Sequence, residues 1–560
     1  MGFESATLHN GASADGTRID RLVDAQAAAR PTAVAVRWRD EELSYDELVA
    51  QSRRVAEGLA RLGVTAGDIV AVRVPPRPRL VGVLLGVLRL GAAYTVIPME
   101  WPLARAEEVV RGAAARVCLV ADGEEEVPGA PTVSLTGLLC GTAPVLSGPT
   151  APATAPEVAC LFFTSGSTGK PKGVLSPHLG TIRIAFDPRL GFGPETVMLQ
   201  AASVAWDAFA LEVWTPLVHG GTVVFAPATP VTGEVIRHAV AQGVNAMFLT
   251  TSLFNVTIDD DPGAFEGVEL LMVGGERLSP KHMDTPVWLL DASGHPVPAG
   301  AAGEVAIGGP GVALGYTGNE AETARKFRTL PLGPDGAPER VYLTGDLAAY
   351  DDTGNLVFQG RNDRQIKIRG VRVEPGEVEA AITGLSGVGS ATVLPVPVDA
   401  TNIEGLVAFY TCASTPPVTE EEVRAAVAAV LPSAFVPKSA IRLPALPLNA
   451  TGKLDRVRIV ELLSSHTAAQ AVATGDGEQH DGNLGVVLDQ VRVLLNRPLT
   501  VQADIFDAGA TSITAIQLAG RISRATGVTV PVSAVLRLRT PAGIAGFLDD
   551  ADSDDDELAA

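Results

Sequence analysis

A segment rich in small hydroxyl residues and glycines, TSGSTGKPKG at residues 164–173, is the first candidate for chemistry. Its hydroxyls and the backbone N–H groups at its glycines could donate hydrogen bonds to phosphate oxygens, and Lys172 would add positive charge. The segment is not a Walker A loop, because its glycines are too close together and Pro171 follows Lys170. Its composition also suits a turn, so it fits either a phosphate loop or a polar turn between strands.

Two further polar residues stand in apolar surroundings. Asp207 interrupts the segment SVAWDAFALEVW at residues 203–214. A carboxylate buried there without a partner would be costly, which favours a cationic ligand, although the residue could also cap a nearby helix. Ser512 begins an apolar helical pattern, and its hydroxyl could serve only as the N-cap of that helix.

The bulk composition narrows the class of protein. A chain of 560 residues is too long for one hydrophobic core, and a domain size of ~150 residues predicts roughly three or four units. The formal net charge of −21 argues against binding to nucleic acid or to anionic membranes. The start of the chain has no signal-peptide pattern, and the most apolar stretch, residues 80–98, contains Arg89. We therefore predict a cytoplasmic protein without a membrane span.

The cysteines and histidines do not predict a metal site. The eight histidines form no cluster, and no pair of cysteines has the spacing of metal ligands. We interpret the cysteines as buried thiols in a reducing compartment. They are Cys118, Cys140, Cys160 and Cys412.

The first half of the chain alternates strand-like apolar runs with helical patterns. Residues 68–74 and 117–122 predict strands, and residues 78–91 and 105–115 predict helices. The segments LTTSLF, LLMVGG and PVWLLD continue the strand rhythm. This alternation indicates α/β layers whose strands are buried on both faces.

The second half predicts smaller units. Strands and helices mix from residue 360 to 463, where Thr419 is placed to cap the helix TEEEVRAAVAAVL. Residues 464–482 are small, polar and aperiodic, which is typical of a linker. A short unit with helical periodicity covers residues 483–548, and the acidic residues 549–560 predict a solvated tail.

Several segments together resemble the adenylation domain of nonribosomal peptide synthetases, a branch of the adenylate-forming superfamily. The loop at residues 164–173 resembles the phosphate loop of that family. Seven more segments match family motifs in the family's order, and the resemblance spans about residues 20–463. They are LSYDEL, LRLGAAYTVIP, GEVAIGGPGVALGY, YLTGDL, GRNDRQIKIRGVRVEPGEVE, LPSAFVP and NATGKLD.

The resemblance implies an α/β adenylate-forming fold. A large N-terminal α/β domain (residues 1–363) would be followed by a small α+β lid subdomain (residues 364–463). Such proteins form an aminoacyl adenylate from ATP in one lid orientation and transfer the acyl group to a thiol in another. Asp363 resembles the hinge about which the lid rotates.

The resemblance also implies the site residues. Because the substrate carboxylate and the α-phosphate are both anionic, the reaction needs neutralised charge and fixed geometry, and Lys453 matches the lysine that bridges them. Asp346 matches the aspartate that binds the ribose hydroxyls, with Arg361 beside it. The remaining implied ATP-binding residues are Thr164, Ser165, Gly166, Ser167, Thr168, Gly169 and Lys172.

The same resemblance outlines an amino-acid pocket. Asp207 matches the aspartate that pairs with the substrate's α-ammonium group. The other implied lining residues are neutral and mostly apolar, which predicts a neutral, hydrophobic amino acid. They are Ala208, Leu211, Phe248, Met272 and Gly274.

One family motif is missing from the sequence. After Met283 the family carries several dozen residues that include an aromatic-Gly-Pro-Thr-Glu motif, which contacts adenine, phosphate and Mg²⁺. Here Asp284 follows Met283 directly, and Gly-Pro-Thr-Glu occurs nowhere in the chain. Omission from the sequence, a deletion, or replacement by another element would each explain the gap.

The short C-terminal unit resembles a peptidyl carrier domain with a helical-bundle fold. Asp504, Phe506, Gly509 and Ser512 form the family's attachment pattern, which implies 4′-phosphopantetheine on Ser512. A linker would then let the carrier reach the adenylation site and afterwards a partner. No condensation-like or thioesterase-like segment accompanies it, so the sequence predicts a free-standing loading unit.

The expected cofactors are therefore ATP, Mg²⁺ and 4′-phosphopantetheine. The expected partners are an amino acid, a phosphopantetheinyl transferase, an MbtH-like activator protein, and a downstream synthetase or tailoring enzyme. Two alternatives stay open. The chain could be a carrier or scaffold with an impaired adenylation half that is loaded in trans, or a ligase for a plain acyl or aryl acid, which Asp207 disfavours.

Overall fold

The structure is a computed structural model of the chain. It describes most of the sequence, in several ranges. These are residues 18–146, 154–155, 157–164, 171–227, 231–274, 286–298, 300–309, 311–351, 356–368, 371–396, 405–412, 414, 416–447, 454–455, 458–463, 482–495, 499–506, 510 and 512–558.

The first part of the chain alternates helices and strands, as the sequence predicts. Its elements are α1 (Ile19–Ala29), β1 (Val34–Trp38), β2 (Glu41–Ser44), α2 (Tyr45–Leu62), β3 (Ile69–Arg73), α3 (Pro78–Arg89), β4 (Ala93–Val96), α4 (Leu103–Gly112), β5 (Val117–Val120), β6 (Thr132–Ser134), α5 (Leu135–Cys140) and β7 (Val158–Thr164).

The next part continues this alternation. Its elements are β8 (Lys172–Pro177), α6 (His178–Ile182), β9 (Val197–Gln200), α7 (Asp207–Val218), β10 (Thr222–Phe225), α8 (Gly233–Ala241), β11 (Ala246–Thr250), α9 (Thr251–Asp260) and β12 (Leu270–Gly274). The segment LTTSLF, predicted as a strand, is instead the end of β11 followed by the first turn of α9. Thr250 causes the switch, since its hydroxyl accepts a hydrogen bond from Leu253 N and caps α9.

A strand-rich part follows, and then a smaller unit. The first comprises β13 (Val287–Leu290), β14 (Gly303–Ile307), β15 (Gly315–Tyr316), α10 (Glu320–Lys326), β16 (Phe327–Leu330), β17 (Glu339–Tyr350) and β18 (Leu356–Arg361). The smaller unit, called the lid below, comprises β19 (Ile366–Ile368), β20 (Val371–Val373), α11 (Pro375–Thr383), β21 (Val388–Val396), β22 (Gly405–Cys412), α12 (Glu420–Val430) and β23 (Ser439–Leu443).

The last unit is helical. Its helices are α13 (Gly482–Leu495), α14 (Ser512–Thr526), α15 (Val532–Leu538) and α16 (Pro541–Leu558). Residues 464–481 of the predicted linker lie outside the described residues, and α16 continues through the acidic segment that the sequence predicts as a tail.

Two large sheets form the framework of the part before the lid, which we call the core domain. One has the strand order β12-β11-β9-β10-β1-β2, and only the pair β1–β2 in it is antiparallel. The other has the order β15-β8-β7-β4-β3-β5-β6 and is antiparallel only at its β15-β8-β7 end. A third sheet, entirely antiparallel, contains β13, β14, β16, β17 and β18.

The largest hydrophobic cluster joins the two large sheets. Helices α1, α2, α3 and α7 contribute to it together with strands of both sheets. At its centre Trp214 of α7 donates a hydrogen bond from Nε1 to the hydroxyl of Tyr94 on β4, at 2.7 Å, and both side chains are buried. The lid and the last helical unit each have a hydrophobic cluster of their own. The predicted fold class is therefore confirmed: a large α/β part, a small α+β part and a helical bundle.

Helix capping shows how the local sequence sets element ends. Thr419 accepts a hydrogen bond from Glu422 N while the Glu422 side chain accepts one from Thr419 N, so the predicted cap of α12 is confirmed. Ser44 and Glu47 form the same capping box at α2.

Two findings concern the apolar helices and the cysteines. No helix among the described residues is long and apolar enough to cross a membrane. Cys118 and Cys160 are buried, but Cys140 is exposed and Cys412 is half-buried, so the prediction of four buried thiols is wrong for two of them. Cys140 ends the short helix α5 at the surface.

We expect Tyr94→Phe to lower the free energy of unfolding by about 1–3 kcal/mol, because it leaves the buried Trp214 Nε1 without its acceptor. Chemical denaturation measures the change. The matched control is Tyr350→Phe, since Tyr350 is 41% exposed. Equal effects of the two variants would show that the hydrogen bond between the layers contributes nothing.

Candidate functional site

Two predicted ribose-site residues face each other across neighbouring strands. Asp346 on β17 is the register partner of Arg361 on β18, and the Arg361 guanidinium donates a hydrogen bond to the Asp346 carboxylate. The same guanidinium donates to the carbonyl oxygen of Thr344 at 2.9 Å. Asp346 is thus held at the end of a two-stranded platform, with its side chain partly exposed to solvent.

Arg361 also holds the predicted hinge residue. Its Nε and Nη2 donate to the two carboxylate oxygens of Asp363 at 2.7 and 2.8 Å. Burial raises the pKa of Asp363, but the hydrogen bonds and positive charge of Arg361 outweigh it and hold the pKa below its usual value. One guanidinium therefore links a core strand to the segment where the chain enters the lid.

A glycine is required beside this network. Gly345 has φ of +84°, and a Cβ atom there would lie 2.7 Å from Arg361 Nη2 and 2.8 Å from Asp363 Oδ2. Its backbone N–H donates to Glu304 at 2.8 Å. A larger residue would strain the backbone and push the guanidinium out of place.

The described ends of the phosphate-loop segment are Thr164 and Lys172. They are register partners at the loop end of the β7–β8 hairpin, and residues 165–170 between them lie outside the described residues. Lys172 Nζ forms an ion pair with Glu322 of α10 at 2.9 Å and lies over the ring of Tyr316. The lysine is thereby placed where the loop returns to the sheet.

Glu322 is strongly anionic in this arrangement. Hydrogen bonds from Arg325 lower the pKa of its carboxyl to about 2, with a further contribution from Lys172 and against the opposing effect of burial. Any anion that binds Lys172 must therefore compete with a fully ionised carboxylate.

Three of the predicted pocket residues lie on the adjacent parallel strands β11 and β12, and Gly274 is the last residue of β12. Phe248 on β11 pairs in register with Met272 on β12, and a Cβ atom on Gly274 would lie 3.2 Å from the Phe248 ring. The segment after β9, the other neighbour of β11, leads to Asp207. Ala208 and Leu211 follow on α7 and are half-buried.

Asp207 differs from the sequence-based expectation. The residue is exposed rather than buried, because it is the first residue of α7 and lies beyond the strand ends. Its Oδ1 accepts a hydrogen bond from Ala208 N at 2.9 Å, and no cationic side chain among the described residues pairs with it. The carboxylate is therefore accessible to a ligand from solvent.

A buried carboxyl that the sequence reasoning missed fixes the segment before Asp207. Glu212 of α7 is fully buried and accepts hydrogen bonds from Gln200 Nε2 and from the backbone N–H groups of Ala201 and Ala202, at 2.9–3.2 Å. Burial raises the pKa of Glu212 to about 8, although these donors oppose the rise. The sequence feature that could have predicted this buried carboxyl is a glutamate in the middle of an apolar helical segment.

The predicted attachment serine begins α14. Upstream, Asp504 Oδ1 accepts a hydrogen bond from Phe506 N at 2.7 Å, and Asp504 Oδ2 lies 2.5 Å from Arg539 Nε. The Arg539 guanidinium also lies over the Phe506 ring, 4.8 Å from its centre. Arg539, which the sequence reasoning missed, thus fixes Asp504, 35 positions earlier in the chain, and contacts Phe506 as well.

Some predicted site residues cannot be placed. Lys453, Gly509, the side chain of Ser512 and the loop residues Ser165, Gly166, Ser167, Thr168 and Gly169 lie outside the described residues.

A preformed metal site is not found in the described part of the chain, where no three His, Cys, Asp or Glu side chains are grouped to hold a metal ion. Magnesium usually keeps several water ligands and binds through one or two carboxylates together with the phosphates of a nucleotide. An ion bound in this way needs no preformed cluster of protein ligands.

Three family models match the chain. Residues 23–285 match the AMP-binding enzymes, residues 377–453 match the AMP-binding enzyme C-terminal domain, and residues 486–548 match the phosphopantetheine attachment site.

Curated relatives are similar over nearly the whole chain. A linear gramicidin synthase protein of Brevibacillus parabrevis is 30% identical over 92% of the chain. A probable non-canonical nonribosomal peptide synthetase, CymA, of Salinispora arenicola is 31% identical over 94%. The chain spans 7% of the length of each of these two relatives.

Solved structures share the fold. An adenylation and carrier-domain protein, holo-PA1221 bound to a vinylsulfonamide inhibitor, has a TM-score of 0.76 at 24% identity, covering 95% of this chain and 96% of that one. A fused adenylation–carrier di-domain from Klebsiella oxytoca has a TM-score of 0.66 at 23% identity, covering 81% and 97%.

The comparisons also bear on the missing motif. The alignment with the linear gramicidin synthase protein extends over 588 positions, although it covers 92% of a chain of 560 residues. The relative thus contains several dozen residues that this chain lacks. The match to the AMP-binding enzymes ends at Thr285, two residues after Met283.

We expect Glu212 to make the protein less stable as the pH rises from 4.5 to about 8. In this window the unfolded state loses the carboxyl proton while the folded state keeps it, so the unfolding free energy falls by up to about 1.4 kcal/mol per pH unit. Glu212→Gln, which is neutral at every pH, should remove this slope. Denaturation midpoints at pH 5, 6, 7 and 8 measure it.

The control for this prediction is Glu266→Gln, at an exposed position after α9. It should leave the slope unchanged. A wild-type slope that survives in Glu212→Gln would show that Glu212 is ionised in the folded protein.

Proposed function

Since the chain belongs to the AMP-binding enzymes and carries a phosphopantetheine attachment domain, we propose that it activates an amino acid and loads it onto Ser512. In the first step a carboxylate oxygen of the amino acid attacks the α-phosphorus of ATP, and pyrophosphate leaves. In the second step the aminoacyl group is transferred to the pantetheine thiol, and AMP leaves with the electron pair of the broken bond. The product belongs to nonribosomal peptide or related natural-product biosynthesis.

One observation carries this proposal. Helix α14, which begins at Ser512, packs against α9, and α9 begins directly after the pocket strand β11. The attachment helix therefore contacts the helix that follows the predicted pocket strand in the same chain. This placement suits an enzyme that loads its own carrier.

The nucleotide residues have distinct roles in this proposal. Asp346, oriented by Arg361, accepts hydrogen bonds from the ribose hydroxyls, and Lys172 with the loop from Thr164 neutralises the phosphates. Lys453 bridges the amino-acid carboxylate and the α-phosphate in the first step. Asp363 is the hinge, and its bonds to Arg361 join it to the core domain.

The substrate is a neutral, hydrophobic amino acid. Half-buried Phe248 and Met272 line the pocket with no charge, and Gly274 leaves room beside the Phe248 ring. The accessible carboxylate of Asp207 pairs with the α-ammonium group. The bound substrate supplies the cationic partner that the described residues do not.

The proposal also implies partners. A phosphopantetheinyl transferase must modify Ser512, and a downstream synthetase or tailoring enzyme must accept the aminoacyl thioester. An MbtH-like protein is the proposed activator of the adenylation half.

The alternative is a carrier whose adenylation half is impaired and which is loaded in trans. The missing Gly-Pro-Thr-Glu motif favours it, because that motif contacts adenine, phosphate and Mg²⁺ in the family that the chain resembles. The presence of Lys453, Asp346 and the complete loop at residues 164–173 favours the enzyme.

Mass spectrometry of the intact protein tests the proposal. After pantetheinylation, incubation with Mg²⁺, ATP and a pool of amino acids should add the mass of one hydrophobic aminoacyl group. Ser512→Ala should block pantetheinylation, and Lys453→Ala should be pantetheinylated but not loaded.

Pantetheinylation without any further gain, with and without an MbtH-like protein, would contradict self-loading and support the carrier loaded in trans. A gain that persists in Lys453→Ala would contradict the assigned role of Lys453.

We expect Asp207→Asn to raise the KM for the amino acid by about 10-fold to 100-fold, because a charged hydrogen bond to the ammonium group is lost. The KM for ATP should stay unchanged, which pyrophosphate exchange at varied substrate measures. Asp187→Asn, at an acidic residue outside the pocket that pairs with Arg189, is the control. An unchanged KM in Asp207→Asn would favour a substrate without an ammonium group.

A further inference from the structure

One ion pair joins the core domain to the lid at a buried position. Arg105 of α4 lies with Nη2 3.8 Å from Glu377 Oε2 of α11. The Arg105 side chain is 4% exposed and the Glu377 side chain is fully buried. Both side chains are buried where the lid packs against the core domain.

Arg105 is held in place from its own side of the interface. Its Nη1 donates a hydrogen bond to Glu108 at 3.1 Å, one turn later on α4, and its guanidinium lies 5.8 Å from the centre of the Trp101 ring. Glu377 lies in the first turn of α11, where the helix dipole favours a negative charge. Both partners are thus pre-oriented by their own domain before they meet.

Neighbouring contacts place this interface next to the nucleotide residues. Arg372 of the lid lies beside the hydroxyl of Tyr342 on the core strand β17, and despite the opposing effect of burial it lowers the pKa of Tyr342. Burial raises the pKa of Glu374 in the lid, and Lys172 of the core domain is among the cations that oppose the rise. Helix α12 of the lid also packs on α4.

The carrier is docked on the core domain in the same structure, because α14 packs against α9. The lid orientation that buries Arg105 and Glu377 is therefore the one that accompanies a docked carrier. Rotation of the lid away from α4 would separate the Arg105 guanidinium from the Glu377 carboxyl. The pair can stabilise only the orientation in which it is buried.

We propose that Arg105 and Glu377 are positioning residues that hold the lid in the orientation used for transfer of the aminoacyl group to Ser512. This inference rests on the proposed two-step function. Neither residue touches the reacting atoms. Both act on the equilibrium between lid orientations, so their loss selectively affects the transfer step.

Glu377→Gln is the test substitution, because it removes the charge and keeps the shape of the side chain. The variant leaves Arg105 buried against a neutral amide, which disfavours only the docked orientation. Single-turnover transfer from the preformed adenylate to pantetheinylated Ser512 should slow by about tenfold or more, while pyrophosphate exchange stays within about twofold of wild type.

The matched control is Glu379→Gln, two positions later on the same helix. Glu379 pairs with Arg364 inside the lid, at 2.6 Å, so the same chemical change removes an ion pair that does not cross the interface. It should leave the ratio of the two rates unchanged. A comparable loss in Glu379→Gln, or equal losses of exchange and transfer in Glu377→Gln, would overturn the proposal and indicate a merely structural role.

A second measurement does not depend on activity. Spin labels at Glu125 of the core domain and Ala425 of the lid, with Cys140 and Cys412 replaced by serine, report the lid orientation as a distance distribution. Wild type should show one dominant distance, and Glu377→Gln should populate a second. An unchanged distance distribution would overturn the proposed role of Arg105 and Glu377, even if the protein proved to be loaded in trans. A failure of pyrophosphate exchange in wild type would instead contradict only the proposed adenylating activity.

Discussion

The organisation of the candidate site depends on the side chain of Arg361. Its guanidinium contacts the carboxylates of Asp346 and Asp363 and a backbone carbonyl, and the close approach is possible only because Gly345 has no side chain. Two strands, a turn and the entrance to the lid are therefore fixed by one planar group with several donors. Arginine suits this task, because its donors have a rigid geometry that lysine lacks.

Buried carboxyl groups elsewhere also fix neighbouring segments of the chain. Glu212 ties the segment after β9 to α7 with bonds from three donors, and burial raises its pKa to about 8 against the effect of those donors. Glu377 forms an ion pair with Arg105 across a domain boundary. A neutral acid can stay buried in one permanent arrangement, whereas a charged pair is suited to an arrangement that forms and breaks.

The sequence predicted much of this structure for identifiable reasons. The helices α3 and α12 and the strands β3 and β5 follow from local periodicity and caps, and Asp346 and Arg361 were predicted together because their motifs are complete. It could not predict that Thr250 ends a strand and begins a helix, since the apolar run continues across the boundary. The pairings of Arg105 with Glu377 and of Asp504 with Arg539 join residues far apart in sequence, and no local pattern encodes them. Asp207 is exposed because it is the first residue of α7, and the sequence pattern does not define the start of this helix to a single residue.

The ion pair between Lys172 and Glu322 has a consequence for ligand selection. A chain with a formal net charge of −21 must attract an anionic nucleotide, yet the lysine beside the phosphate loop is already neutralised by an internal carboxylate. Binding is then an exchange of one anion for another. A chloride ion or a single phosphate gains little by displacing a carboxylate that is already well placed, whereas a triphosphate spreads its charge over many contacts at once. If Lys172 has its proposed role, the internal carboxylate would favour polyphosphates over small single anions.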